Sequence, residues 1–290
     1  MFKGTYTALI TPFSNGKLDL NAYEKIINRQ IEAGISGLVP SGTTGESPTL
    51  SHDEHNDVIR TCVELSKGKV KIIAGTGSNS TTEAIYMTKH AEKVGADAAL
   101  IVAPYYNKPS QRGLYEHFKS IHDNTNIPII LYNIPGRSVV NIDLELMANL
   151  AKLPRIIGVK DATADLTLPQ KIKNLIGNDF IQLSGEDGSV IEYNKQGGVG
   201  VISVTANIAP ELCVAQQNAF FANDLTKADN ITKKLAEINE VLFCETNPMP
   251  VKFAAELLGL CTGELRLPLI EVEKRSQEKI KRALKNLALI

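Results

Sequence analysis

Eight short apolar runs, each bounded by Gly, Pro, Ser or Asn, punctuate the first two hundred residues of this chain. They are TYTALIT (5–11), SGLVP (36–40), KIIAGT (71–76), AALIVAP (98–104), IPIILYN (127–133), IIGVKDA (156–162), FIQLSG (180–185) and GVGVISV (198–204). Each is too short for a helix and reads as a buried strand. Between them lie segments such as NAYEKIINRQIEA (21–33), TTEAIYMTKHAEKV (81–94) and GLYEHFKSIHDN (113–124), whose apolar positions recur three and four residues apart, the period of a helix with one buried face. Parallel neighbours need long crossover connections, so strict β/α alternation predicts a parallel sheet covered by helices. Eight such units predict an α/β fold closed into a (β/α)8 TIM barrel. An open doubly wound sheet is the structural competitor, but its dinucleotide-binding form wants G-x-G-x-x-G after the first strand, where this chain has TPFSNG. Beyond about residue 225 the strands cease and three helical stretches follow, 226–243, 250–260 and 268–289. The expected organisation is a barrel over residues 1–224 with a C-terminal helical region over 225–290.

The chain is long enough for one such domain. Its 43% hydrophobic and 22% charged residues exclude disordered, collagen-like and coiled-coil classes. Thirty-one basic residues against thirty-two acidic ones leave a net charge of −1, too small a field to draw the chain to nucleic acid or anionic lipid. No partner of either kind is expected. The charges of 271–285 are of mixed sign and interrupted by apolar residues, as on a solvated helix face. Cys62, Cys213, Cys244 and Cys261 are too far apart for a C-x-x-C site or a dense disulfide framework. A reducing compartment fits them, the N-terminal residues lack a signal-peptide layout, and no apolar run approaches the roughly 18 residues that span a bilayer. A cytoplasmic location is the expectation.

In a β/α barrel the reacting groups sit at the C-terminal ends of strands. Lys160 in IIGVKDA is the sharpest of these positions, because an ammonium placed among Ile, Gly and Val must pair, snorkel or lose its proton. A salt bridge to Asp161, or to an acid on another strand, is the plain reading. The alternative is a free amine that attacks a ketone and forms a Schiff base, a chemistry that burial favours by disfavouring the charged form. That chemistry also needs proton carriers. Tyr132 ends the preceding strand and should stand beside Lys160, while Tyr106 and Thr43 end other strands and extend a chain of hydroxyls. Within SGTTGES (41–47), Thr43 and Thr44 offer backbone N–H groups and hydroxyls to a carboxylate, and G-x-x-x-x-G-K-[ST] for a phosphate is absent. Arg137, beyond the fifth strand, can pair with a second carboxylate. His52 and His55 lie near a helix start capped by Ser51, and H-E-x-x-H is absent, so no metal is expected. Neither a Ser-His-Asp order nor a G-x-S-x-G elbow is present.

GTTGES, PYYNKPSQRGLYEHF, YNIPGRS and GVKDAT, in this order and spacing, resemble the bacterial dihydrodipicolinate (4-hydroxy-tetrahydrodipicolinate) synthase family. The resemblance runs from MFKGTYTALITPF through GVISVTANIAP to NPMPVK and LRLPL, nearly the whole chain. It implies condensation of pyruvate with L-aspartate 4-semialdehyde, a committed step toward diaminopimelate and lysine. By resemblance, Lys160 forms the pyruvate imine, and Tyr132, Thr43 and Tyr106 relay protons, with Tyr106 supplied by a neighbouring subunit of a homotetramer. Thr43 and Thr44 hold the pyruvate carboxylate, Ile202 lines the pocket, and Arg137 takes the semialdehyde carboxylate with Gly185 and Asn247 as secondary contacts. No cofactor is implied. The resemblance also implies inhibition by lysine at Ser47, His52, His55, Asn79, Glu83 and Tyr105, where Pro48 departs from the small alanine common in the family and bears on inhibitor strength. Three other readings use the same Lys160. A Schiff-base aldolase of a longer 2-keto acid, such as a sialic-acid or keto-deoxy-sugar lyase, would not call for Arg137. A non-catalytic homologue would have lost the lysine or its relay, and a pyridoxal-phosphate enzyme would want a phosphate loop after the last strands.

Overall fold

A computed structural model describes residues 2–290. Eight parallel strands close into a barrel: β1 (Gly4–Ala8), β2 (Gly37–Val39), β3 (Lys71–Gly75), β4 (Ala98–Val102), β5 (Ile129–Asn133), β6 (Ile156–Asp161), β7 (Ile181–Ser184) and β8 (Gly200–Ser203). β1 pairs with both β2 and β8, which completes the ring. Helices α1 (Leu20–Glu32), α2 (His52–Ser66), α3 (Thr81–Val94), α4 (Gln111–Asn124), the single turn α5 (Pro135–Ser138) at the rim, α6 (Leu144–Leu150), α7 (Leu168–Ile176), α8 (Val190–Lys195) and α9 (Pro210–Phe221) follow the strands, and all but α5 form the outer layer. Then come α10 (Leu225–Val241), α11 (Met249–Leu257) and α12 (Lys274–Asn286). A small hairpin, Phe13–Ser14 with Lys17–Leu18, lies between β1 and α1, at the start of the first crossover. None of the described helices is both long and apolar enough to cross a membrane.

The strands read as unbroken apolar runs because both faces are buried. Leu100, Ile130, Tyr132, Leu183 and Ile202 point into the barrel. Their neighbours Ile101, Ile129, Leu131 and Val159 pack outward against the helices. A third cluster joins α1 and α2 to α10, α11 and α12, so the C-terminal helices share a core with the barrel's own.

Two of the expected boundaries that move do so for a tertiary reason. The first run stops being a strand after Ala8, because the side chain of Asn207 accepts from the Ile10 N–H (3.1 Å) and donates to the Ala8 carbonyl (2.8 Å), where a neighbouring strand would have paired. The last helix, expected from 268, starts at Lys274. The preceding segment is held out of the helix, with a turn closed by the Leu269 N–H on the Arg266 carbonyl (3.0 Å): the Arg266 N–H is bonded to Glu46, the Arg266 side chain to Glu54, Thr49 and Gly16, and the Glu273 N–H to Glu245.

Candidate active site

At the C-terminal rim of the barrel the β5–β6 register sets Tyr132 directly opposite Lys160 and Asn133 opposite Asp161. Because strand side chains alternate in direction, Lys160 points inward with Tyr132 while Asp161 points away. Lys160 is only 7% exposed, and its Nζ stands 4.2 Å from the centre of the Tyr132 ring. Among the described residues no carboxylate pairs with it. The salt bridge to Asp161 is therefore not formed: the Asp161 carboxylate instead accepts from the Thr163 N–H at 2.9 Å, and its burial pushes its pKa up. Gly185, after β7, lies against the lysine stem, since a Cβ there would come within 3.3 Å of Lys160 Cε and 2.8 Å of Ala162 Cβ. Ile202, on β8, is fully buried in the same inner cluster as Tyr132.

Beside this pair opens a cavity of about 240 Å3, lined by Thr43, Tyr132, Arg137 and Tyr105, with Ser41, Gly42, Ser47, Pro48, Gly75, Gly77, Leu100, Val102, Ile134 and Ser138 completing its wall. The 41–47 turn folds on itself: the N–H groups of Gly45 and Ser47 bond to the Gly42 carbonyl, and that of Glu46 to the Thr43 carbonyl. The N–H groups of Thr43 and Thr44 are not consumed in this way, which leaves two adjacent donors for an anion, as in a backbone nest. Asn247, just before α11, ties the turn to Arg137. Its side-chain amide donates to Thr44 Oγ1 (3.0 Å), and its carbonyl accepts from Arg137 Nη2 (3.1 Å).

Tyr106 does not join this site within one chain. It is 89% exposed, in a left-handed backbone conformation (φ 75°), and the neighbouring Tyr105 lines the cavity in its place. No hydrogen bond links the hydroxyls of Thr43 and Tyr132, although both residues line the same wall.

The residues expected to bind lysine converge as well. A second cavity, of about 140 Å3, is lined by Ser47, His52, His55, Glu83 and Tyr105, together with Pro48, Leu50, Gly77, Ser78 and Met87. Asn79 is not in its wall, but its amide donates to the Tyr105 carbonyl (3.2 Å). His52 Nε2 and Glu83 Oε1 are 2.6 Å apart, and Ser78 donates to the other Glu83 oxygen. These bonds hold the Glu83 carboxyl below its ordinary range. His55 Nε2 bonds to the Gly75 carbonyl at 2.9 Å, so this nitrogen carries the hydrogen, while burial pushes the imidazole pKa down to about 4. The two cavities share Ser47, Pro48, Gly77 and Tyr105.

Sequence reasoning passed over Gly75 and Gly77, yet a Cβ on either would come within 2.4 Å of backbone, at Ser41 O and Val102 N. The run of small residues in KIIAGTGS was the available signal. Among the described residues no group of three His, Cys, Asp or Glu side chains is placed to hold a metal.

Residues 1–287 match the dihydrodipicolinate synthetase family. The 4-hydroxy-tetrahydrodipicolinate synthase of Pelagibacter ubique (strain HTCC1062) is 58% identical over 98% of both chains. Among solved structures, the Acinetobacter baumannii dihydrodipicolinate synthase, described as chloride inhibited and complexed with pyruvate, superposes with a TM-score of 0.98 at 41% identity, over all of both chains. The Cyanidioschyzon merolae enzyme, with lysine bound, superposes with a TM-score of 0.96 at 35% identity, over 100% of this chain and 99% of that one.

Proposed function

The chain belongs to the dihydrodipicolinate synthetase family, and from that membership we propose how its own residues carry out the family's reaction. It is a lyase of diaminopimelate and lysine biosynthesis that condenses pyruvate with L-aspartate 4-semialdehyde to give 4-hydroxy-tetrahydrodipicolinate. Lys160 is the nucleophile. Its amine adds to C2 of pyruvate, the carbinolamine loses water to give the imine, and loss of a methyl proton gives the enamine. The enamine carbon attacks the aldehyde of the semialdehyde, and the new alkoxide takes up a proton. The amine of the second substrate then closes on the imine carbon and releases Lys160. Every step moves a proton, and Tyr132, against Lys160, is the nearest carrier, with Thr43 and a partner subunit's copy of Tyr106 extending the relay. Thr43 and Thr44 hold the pyruvate carboxylate, Ile202 closes the pocket, and Arg137 receives the semialdehyde carboxylate with Gly185 and Asn247 beside it.

The observation that carries this reading is a buried lysine at a barrel strand end, in salt-bridge contact with no carboxylate and packed on a tyrosine. Mass spectrometry after borohydride treatment, with and without pyruvate, tests it. A pyruvate-dependent adduct mapping to Lys160 is expected; no adduct in folded protein sinks the imine mechanism.

The same membership supports a homotetramer in which Tyr106 crosses between subunits, a reading with which its exposure agrees. It also supports a catalytic barrel over 1–224 served by the helices of 225–290, and a cytoplasmic site of action for an amino-acid-biosynthetic enzyme. The second cavity is a lysine-inhibition site, for which the His52–Glu83 pair supplies charge to a zwitterion and Pro48 alters the wall. Activity unchanged by millimolar lysine at sub-saturating pyruvate would refute it.

A further inference from the structure

Lys252, on α11, does not line the catalytic cavity, yet its ammonium is wholly buried. Its Nζ lies 2.7 Å from Glu46 Oε1, with both side chains 0% exposed, and it donates as well to the Glu264 carbonyl and sits 4.3 Å from the centre of the Phe13 ring. The second Glu46 oxygen accepts the Arg266 N–H at 3.1 Å. Taking two charges out of water costs about as much as their attraction returns, so a buried pair is a poor stabiliser and a good means of fixing geometry. Here the geometry fixed is that of the turn bearing Thr43 and Thr44. Glu46 ends this turn with its N–H on the Thr43 carbonyl (3.1 Å) and its backbone at φ 53°, a left-handed conformation uncommon for a residue with a side chain. Asn247, five positions before Lys252, grips Thr44 Oγ1 of the same turn. The start of α11 thus holds the turn at two points, two residues apart.

We propose that Lys252 is a positioning residue for pyruvate, acting through Glu46 to set where the donors of Thr43 and Thr44 stand, so that a helix beyond the barrel shapes the carboxylate-binding turn. The proposal rests on the reading of Thr43 and Thr44 as the carboxylate holders. A small displacement of such donors is enough to weaken substrate use by about ten- to a hundredfold.

The test compares Lys252→Met, the double variant Glu46→Gln/Lys252→Met and Thr44→Val with the wild-type enzyme. The double variant removes both charges together and leaves no unpaired carboxylate behind, so it keeps the test open where the single one misfolds. Circular dichroism and thermal melting establish folding, and the pyruvate concentration for half-maximal borohydride trapping on Lys160 is read beside the steady-state constants. Expected is a rise of about tenfold or more in the pyruvate requirement of the folded Lys252 variants. Trapping at saturation stays complete, kcat changes less than KM for pyruvate, and the double variant recovers part of the loss. Wild-type pyruvate dependence in a folded Lys252 variant overturns the proposal while Thr44→Val is impaired, and so does failure of both Lys252 variants to fold, which would make the pair a folding requirement. If Thr44→Val and a folded Lys252 variant both bind pyruvate normally, the reading of the Thr44 hydroxyl as a carboxylate contact falls, and the proposal with it.

Discussion

Gly185 shows how narrowly the site is set at the scale of a residue. A single methyl group there would press on Ala162 Cβ, the Asp161 carbonyl and Lys160 Cε, none of which is the free end of a long exposed chain. Gly185→Ala should therefore displace the lysine stem and slow pyruvate-dependent trapping by about ten- to a hundredfold. Stopped-time trapping with borohydride measures this, and an unchanged rate would show that the stem has room. Tyr132→Phe keeps the ring against Lys160 and removes only the hydroxyl. A loss of about 10²- to 10⁴-fold in kcat with little change in melting temperature is expected if Tyr132 carries protons. A loss below about threefold would assign the tyrosine a packing role alone.

Among the elements, α2 and α4 each bury a neutral histidine, and this gives the enzyme an acid limit. Burial pushes His55 and His117 down to about 4, from an ordinary value near 6.5. Below about pH 6.5 the unfolded chain takes up protons that the folded one refuses, so stability is full above that pH and is lost as pH falls toward 4. Each imidazole contributes a slope of up to about 1.4 kcal/mol per pH unit in that window. Melting curves between pH 4 and 7 should show it, and His55→Gln, whose amide can still donate to the Gly75 carbonyl, should flatten it by about half. An identical slope in His55→Gln and wild type would place the titration elsewhere. The elements also mark where sequence reading stops. The runs at 98–104 and 127–133 were legible because burial on both faces leaves only apolar residues in them. The start of α12 was not, since no local signal tells that Arg266 is pinned to Glu54 and Glu46, residues more than two hundred positions away.

The whole molecule raises the question of what one chain lacks. Tyr106 stands away from its own cavity, so the proposed relay would need another subunit to supply it. Mixing Lys160→Ala subunits with Tyr106→Phe subunits tests this, because each mixed pair regains one site holding both an intact Lys160 and an intact Tyr106. Random pairing should restore about a quarter of the wild-type sites from two nearly inactive parents. No recovery under conditions of proven exchange would mean that Tyr106 serves its own chain or none.

The barrel, its rim, and the assignment of Lys160, Tyr132, Thr43 and Thr44 to that rim follow from the chain alone, because strand and helix periods are local and the reacting groups of a β/α barrel lie at the C-terminal ends of its strands. The clamps that complete the site do not. Glu46 finds Lys252 across 206 residues, and Thr44 finds Asn247 across 203. Such pairings depend on how the last helices pack back onto the first, and a buried charge pair has no period by which a sequence could announce it. Only the tertiary structure decides them, for the same reason that it alone shows Lys160 without a carboxylate: whether an ion is paired is a question of neighbours in space, not of neighbours in the chain.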